Sequence, residues 1–269
     1  MHHNVKKSYI SSQYGQVHFQ IYGDGIPLIL CHQSPSSLEM FNSAYPVLAA
    51  LGIQSIGIDT PGYGQSDGPN NQPKILDYAQ CVIDVITSTG YDKVSLLGHH
   101  TGACIVAELA LLRPDLINKI ILNGPPLLTQ DEKQTMLQMI ENAPSLTLKK
   151  DGSHLLELWN KRKKFTPGWT NLDAMQNGIT QMLRADENDI FGFKAAFDQD
   201  LENVLLQIEN PTMILTNTGD DIYFAALRAK ELRPDFMFKE LKNGTHDIVD
   251  EQPQEWSKCI ADFLKSKKN

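Results

Sequence analysis

The chain is 269 residues long, 41% hydrophobic and 21% charged, with a formal net charge of −8. That length buries one substantial core with room for an insertion, and the acidic balance argues against nucleic acid or an anionic membrane as partner. No apolar run is long enough to cross a bilayer, and the polar start Met1-His2-His3-Asn4 leads into no apolar stretch, so neither a membrane span nor a signal peptide is expected. Cys31, Cys81, Cys104 and Cys259 follow no metal-ligand spacing, and three of them sit in apolar runs as small hydrophobes. The chain reads as a cytoplasmic protein, monomer or homodimer, that handles a small molecule.

In chain order, residues 8–22 with Gly15 near their middle predict an antiparallel hairpin at a sheet edge. Short apolar runs follow at 26–31, 53–59, 93–97 and 119–122, each closed by polar, Gly or Pro residues. Between them, residues 36–51, 75–88 and 101–112 carry apolar positions at helical spacing, the last stopped by Arg113-Pro114. Buried strands alternating with helices predict an α/β fold, a mostly parallel sheet with right-handed crossovers and helices on both faces. From 127 to 206 the pattern is helical, amphipathic and rich in Met, Asn and Gln. Strand signals resume at 212–216 and 236–241, and 253–265 reads as a final helix with Trp256, Ile260, Phe263 and Leu264 inward. The expected division is a core of 1–126 and 207–269 with a helical lid, 127–206, inserted between two strands. The basic run Lys161-Arg162-Lys163-Lys164 reads as a solvated face of that lid.

Chemistry-bearing residues collect where strands end. Gly98-His99-His100-Thr101-Gly102 lies between an apolar strand and a helix, and its glycines have the spacing of G-x-S-x-G. Small residues on either side of a tight turn let strand and helix approach, present the tip side chain, and aim the next backbone N–H at a developing oxyanion. Three further segments sit at strand ends: His32-Gln33-Ser34-Pro35, Asp59-Thr60-Pro61-Gly62-Tyr63-Gly64-Gln65-Ser66-Asp67, and Thr216-Asn217-Thr218-Gly219-Asp220-Asp221. A fourth, Asn243-Gly244-Thr245-His246, follows the last strand.

Together these segments resemble the α/β-hydrolase superfamily over nearly the whole chain. The 59–67 segment resembles the D-x-P-G-x-G-x-S-D loop of those enzymes, and 32–35 resembles their H-G-x-P oxyanion loop with Gln33 in place of glycine. The order of elbow, acid and histidine is also theirs. The resemblance implies that His100 stands in the nucleophile position, that Asp221 (with Asp220 as the alternative) is the acid, and that His246 is the histidine it orients. It further implies that the backbone N–H groups of Ser34 and Thr101 form the oxyanion hole, and that the side chain of Gln33 adds a donor or blocks the pocket.

A histidine at the tip departs from the Ser, Cys or Asp that these enzymes use. An imidazole can itself attack a carbonyl, and a neighbouring imidazole at 246 would disfavour double protonation and keep one ring neutral. Alternatively His100 acts as acid or base, or the His246–Asp221 dyad serves a cofactor-free lyase or oxygenase. The ring-cleaving dioxygenases of this fold carry a tryptophan where this chain has Ala103 and Cys104. A third alternative is a catalytically inactive binding protein on the same fold. No metal and no cofactor are expected, because His99 should point into the core and His32 should be structural, leaving two imidazoles at the site. Trp159, Phe165, Trp169, Phe191, Phe193 and Tyr223, with Met136, Met139, Met175 and Met182, are candidates to line an apolar pocket. The expected activity is cleavage of an ester or related carbonyl bond in a small, largely apolar substrate by a His100/Asp221/His246 triad.

Overall fold

The computed structural model describes residues 5–142, 147–164, 166, 170–185 and 190–266. Strands β1 (Val5–Ser12) and β2 (Gly15–Tyr22) form the edge hairpin, and β3 (Ile26–Cys31) follows. Residues 36–51 do not make one helix. They form a short 3-10 turn over Leu38–Phe41, capped by the Ser37 hydroxyl, and then α1 (Tyr45–Ala50). Pro46, in the first turn of α1, has no N–H to continue a preceding helix, so the apolar periodicity is split in two. Then come β4 (Ile53–Ile58), α2 (Ile75–Thr89), β5 (Val94–His99), α3 (Thr101–Leu112) and β6 (Ile117–Asn123).

The insertion contributes α4 (Gln130–Glu141), α5 (Ser153–Lys164), α6 (Leu172–Ala185), α7 (Phe191–Asp198) and α8 (Leu201–Gln207). The core resumes with β7 (Thr212–Asn217), α9 (Tyr223–Leu232), β8 (Met237–Leu241), α10 (Ile248–Glu251) and α11 (Pro253–Lys265). Helix α9, which the sequence pattern does not announce, packs through three small residues, Ala225, Ala226 and Ala229.

The eight strands form one sheet in the order β1-β2-β4-β3-β5-β6-β7-β8. Only β2 among them runs against the rest, pairing antiparallel with both β1 and β4, and β4 to β8 are joined through parallel ladders. The two-residue period of a strand sends its side chains into two separate cores. Along β3, Ile29 and Cys31 join α2, α3 and α8 on one face, while Leu28 and Leu30 join α1 and α11 on the other. This is the mostly parallel, helix-covered sheet with a helical insertion that the alternating pattern predicts. Trp256 is fully buried on α11 and donates its indole N–H to Asn123 Oδ1 at 2.6 Å. Among the described residues no helix is long and apolar enough to cross a membrane.

Leu97 on β5, three residues before His100, is fully buried in the α1/α11 core. Leu97→Ala should cost about 2–5 kcal/mol of stability, measurable as a shift of the urea midpoint at unchanged slope; a cost within experimental error would contradict this packing.

Candidate active site

Three glycines decide the shape of the turn after β5. A Cβ on Gly98 would stand 2.0 Å from the Gly102 carbonyl oxygen, and one on Gly102 would stand 2.2 Å from that of Cys31. Strand β5, helix α3 and strand β3 are therefore in backbone contact, closer than any side chain allows. The residue between them, His100, takes φ 47° and ψ −107°, a strained conformation for a residue with a Cβ. Its N–H is held by the Asn123 carbonyl at 2.9 Å, and its carbonyl accepts from Ala103 at 2.8 Å. Thr101 begins α3, so its N–H is one of the donors the helix itself cannot satisfy.

The His100 imidazole lies over Gly124, just after β6, where a Cβ would fall 2.7 Å from Nε2 and 2.9 Å from Asp220 Oδ2. This gap lets His100 Nε2 meet Asp220 Oδ2 at 2.9 Å. Asp220 follows β7, its side chain fully enclosed, and its Oδ1 also accepts from the Ile222 N–H at 3.0 Å. Burial pushes this carboxyl up, but the charge and hydrogen bond of His100 and the Ile222 amide outweigh it and hold the group at about 2. Burial likewise pushes His100 down, and the pull of Asp220, with smaller contributions from Asp221 and Asp247, raises it above its ordinary value. The His100 side chain keeps 16% exposure, so the pair has one open side.

The carboxylate that meets His100 is thus Asp220, and the neighbouring Asp221 points outward with a side chain 55% exposed. Asp221 Oδ2 lies 3.3 Å from His246 Nδ1 without hydrogen-bond geometry. On the other side of that ring, Arg162 from α5 donates to Nε2 at 2.7 Å and binds both carboxylate oxygens of Asp247 at 2.5 Å. A guanidinium can only donate, so Nε2 is the accepting nitrogen of this ring. Among the described residues no hydrogen bond joins His100 to His246. The imidazole beside His100 is instead His99, whose ring meets it edge-on with centroids 4.5 Å apart.

His99 is fully buried, and neither of its ring nitrogens has a hydrogen-bond partner among the described residues. Burial, and then repulsion by His100, hold it well below its ordinary value. It is enclosed, as expected, but its position at the end of β5 also sets the ring against His100, and His99, His100 and Asp220 each offer a ligand atom within 4.8 Å of the others. His32 is structural, as expected. Its Nδ1 bonds the Gln33 carbonyl at 2.8 Å and its Nε2 accepts from Thr60 N at 3.1 Å.

The loop that begins at Asp59 has a structural job. Its carboxylate takes the N–H of Leu38 at 2.8 Å and of Gln65 at 2.9 Å and pairs with His18 Nδ1 at 2.8 Å, tying the segment after β3 in place. A Cβ on Gly64 would collide with that carboxylate at 2.2 Å. Ser34 is buried and Gln33 half-buried. The lid seats directly on this segment: Gln181 of α6 accepts from Ser36 Oγ at 2.6 Å and Ser37 N at 2.8 Å, and Gly192 of α7 donates its N–H to Tyr63 at 2.8 Å. A Cβ on Gly192 would stand 1.8 Å from Ser34 Oγ, so only glycine lets α7 approach the loop this closely.

The sequence pattern misplaces or misses several of these groups. The basic run on α5 is not wholly a solvated face, because the Arg162 side chain is only 10% exposed: a planar guanidinium can fork onto Asp247 and still reach His246, which a lysine cannot. Its being the lone arginine among lysines was the available signal. Tyr223 bonds Glu240 at the surface and is not brought to His100. Trp159 and Phe191 are half-buried on the lid, Met175 is buried and Met139 is exposed, so the methionines do not share one environment. Phe165 and Trp169 lie outside the described residues.

Asp250 on α10 sits behind this site. Burial raises its carboxyl to about 6, with help from the charge of Asp247, although the Ser43 hydroxyl donates to it. Its folded-state value exceeds its unfolded one, so this group's contribution to stability is full at acid pH and is lost as pH rises through about 6. Asp250→Asn should remove that loss and stabilise the protein at pH 8 by on the order of 1 kcal/mol; thermal melts at pH 5 and pH 8 that shift equally in both proteins would rule it out.

A family profile described as alpha/beta hydrolase fold matches residues 26–253. Bifunctional epoxide hydrolase 2 of Rattus norvegicus is 26% identical over 147 residues, covering 52% of this chain and 26% of that protein, so the chain spans about a quarter of its length. The (E)-2-((N-methylformamido)methylene)succinate hydrolase of Acinetobacter baylyi is 23% identical over 257 residues, covering 92% of this chain and 90% of that protein. Among solved structures, an esterase from Exiguobacterium antarcticum superposes with a TM-score of 0.81 at 20% identity over 97% of this chain and all of that one, a likeness of fold.

Proposed function

The chain belongs to the alpha/beta hydrolase fold family, and from that premise we propose that it hydrolyses an ester or related carbonyl bond of a small, largely apolar substrate, with His100 in the nucleophile position acting as a general base backed by Asp220. The observation that carries this reading is the 2.9 Å contact between His100 Nε2 and the enclosed carboxylate of Asp220. A carboxylate behind one ring nitrogen fixes the tautomer with Nε2–H toward Asp220 and leaves the Nδ1 lone pair for the substrate side. The raised basicity of His100 suits it to take a proton.

In this reading a water molecule gives its proton to His100 Nδ1 as its oxygen attacks the carbonyl carbon. The oxygen of the tetrahedral intermediate is held by the backbone N–H groups of Thr101 and Ser34. Collapse breaks the bond to the leaving alkoxide, which takes the proton back from the imidazolium, and the acid is released. No acyl-enzyme forms. His246 is not the base here, since its Nε2 lone pair is occupied by Arg162. Its part is to hold the lid arginine over Asp247. The hydrolase names of the Acinetobacter and rat relatives and the esterase title of the structural neighbour support the reaction class.

A panel of short and medium acyl esters tests the assignment. Asp220→Asn and His100→Ala should each lower kcat by about 10²–10⁴, while Asp221→Asn stays within about threefold of wild type. Intact mass during turnover should show no acyl group on His100. A trapped acyl-imidazole would make His100 a nucleophile, and full activity in Asp220→Asn would remove the dyad.

A further inference from the structure

We infer that His99, His100 and Asp220 form a binding site for one divalent transition-metal ion of the zinc type. The inference starts from an unexplained group. His99 is fully buried, its ring lies against His100, and neither ring nitrogen has a partner among the described residues. An enclosed imidazole in that state forgoes the hydrogen bonds that water would give it, a cost of about 1–3 kcal/mol for each unsatisfied group. A metal ion gives the single acceptor nitrogen of a neutral ring a partner.

The ligand set agrees, and its donors are already near one another. Two imidazoles and one carboxylate are a common three-ligand set for zinc, with a fourth position left for water. The three donor atoms lie within 4.8 Å of one another. Tetrahedral bonds of about 2.0–2.2 Å set donors roughly 3.3–3.6 Å apart, so side-chain rotation has to draw a pair as wide as 4.8 Å together by about an ångström or slightly more, while His100 Nε2 and Asp220 Oδ2, at 2.9 Å, part a little. His100 supplies the entry path, since its side chain is the one of the three with an exposed edge. The surroundings favour a cation: Asp221 and Asp247 add negative charge to that of Asp220, and the nearby guanidinium of Arg162 is bound to both oxygens of Asp247.

Binding would exchange the proton shared by His100 Nε2 and Asp220 Oδ2 for the metal, so the ion and the general base are alternative occupants of one place. The inference does not rest on the general-base reading, and the two fail separately. The test uses the full chain stripped with a chelator, then titrated with zinc sulfate by calorimetry and with cobalt(II) by visible absorption. The expected result is one ion per chain, intense ligand-field bands for cobalt, no binding of magnesium, and a higher melting temperature with zinc.

Asp220→Asn and His99→Gln should each weaken zinc binding at least tenfold, whereas His2→Ala/His3→Ala, which removes the other adjacent histidine pair of the chain, should leave it unchanged. Two variants guard against misfolding of either one, and melting without metal checks both. No stoichiometric binding, or binding lost in the His2/His3 variant and kept in Asp220→Asn, overturns the site. Ester hydrolysis that falls on zinc loading fits both readings. Hydrolysis that rises on loading keeps the metal site and removes the metal-free dyad.

Discussion

Backbone contact between β3, β5 and α3, permitted only because Gly98 and Gly102 lack side chains, shapes the turn on which the site is built. It bends the chain so sharply after β5 that the tip residue is held in a strained, positive-φ conformation. It also lifts the Thr101 N–H clear of helical bonding. Gly124 adds the third gap, on the neighbouring strand end, and that gap is filled by the His100 ring and the Asp220 carboxylate together. The parallel order β5-β6-β7 then does the positioning: elbow, gap and acid come from three adjacent strand ends, so their separation follows from sheet geometry and not from any long loop.

The lid is tied to this frame by polar contacts aimed at the strand ends. Gln181 fastens α6 to Ser36 and Ser37, Gly192 fits α7 onto Ser34, and Arg162 clamps α5 to Asp247 and His246. The last of these changes the chemistry available. A histidine in the late loop that accepts a guanidinium hydrogen bond has no lone pair to offer a substrate, and its other nitrogen faces a half-solvated Asp221 through a 3.3 Å gap. In the proposed reaction the acid–base work is therefore given to the ring that has a buried carboxylate behind it.

The fold was legible because its signals are local and repeated: apolar runs ended by Gly or Pro, and helices at 75–89 and 101–112 whose stops are written in the chain. The break at Pro46 is also written in the chain, because a proline in the first turn of α1 outranks the apolar period that runs across 36–51. Much of the site was not. Asp220 and Asp221 are chemically identical neighbours, and which of them turns inward depends on the Gly124 gap on another strand. Arg162 looks like one more surface charge until α5 is placed over the late loop, and His99 looks like core until the register of β5 sets its ring against His100. In each case a pairwise contact across distant segments decides, and no local pattern encodes it.

The enclosed carboxylate of Asp220 explains why such a site tolerates few alternatives. A charge with no exposed surface is retained only beside a countercharge and hydrogen bonds, because its desolvation is otherwise far more costly than a single contact can offset. The Ile222 amide supplies one bond, and the remaining demand falls on whatever occupies the space beside Oδ2. A serine at position 100 would bring no cation there. An imidazole does, as soon as it binds a proton, and a metal ion does so with more charge and a call on His99 as well. The imidazole at the elbow and the depressed carboxyl at 220 are thus two views of one requirement: an enclosed negative charge that is hydrogen-bonded by the ring beside it and gains a cation there whenever that ring takes up a proton.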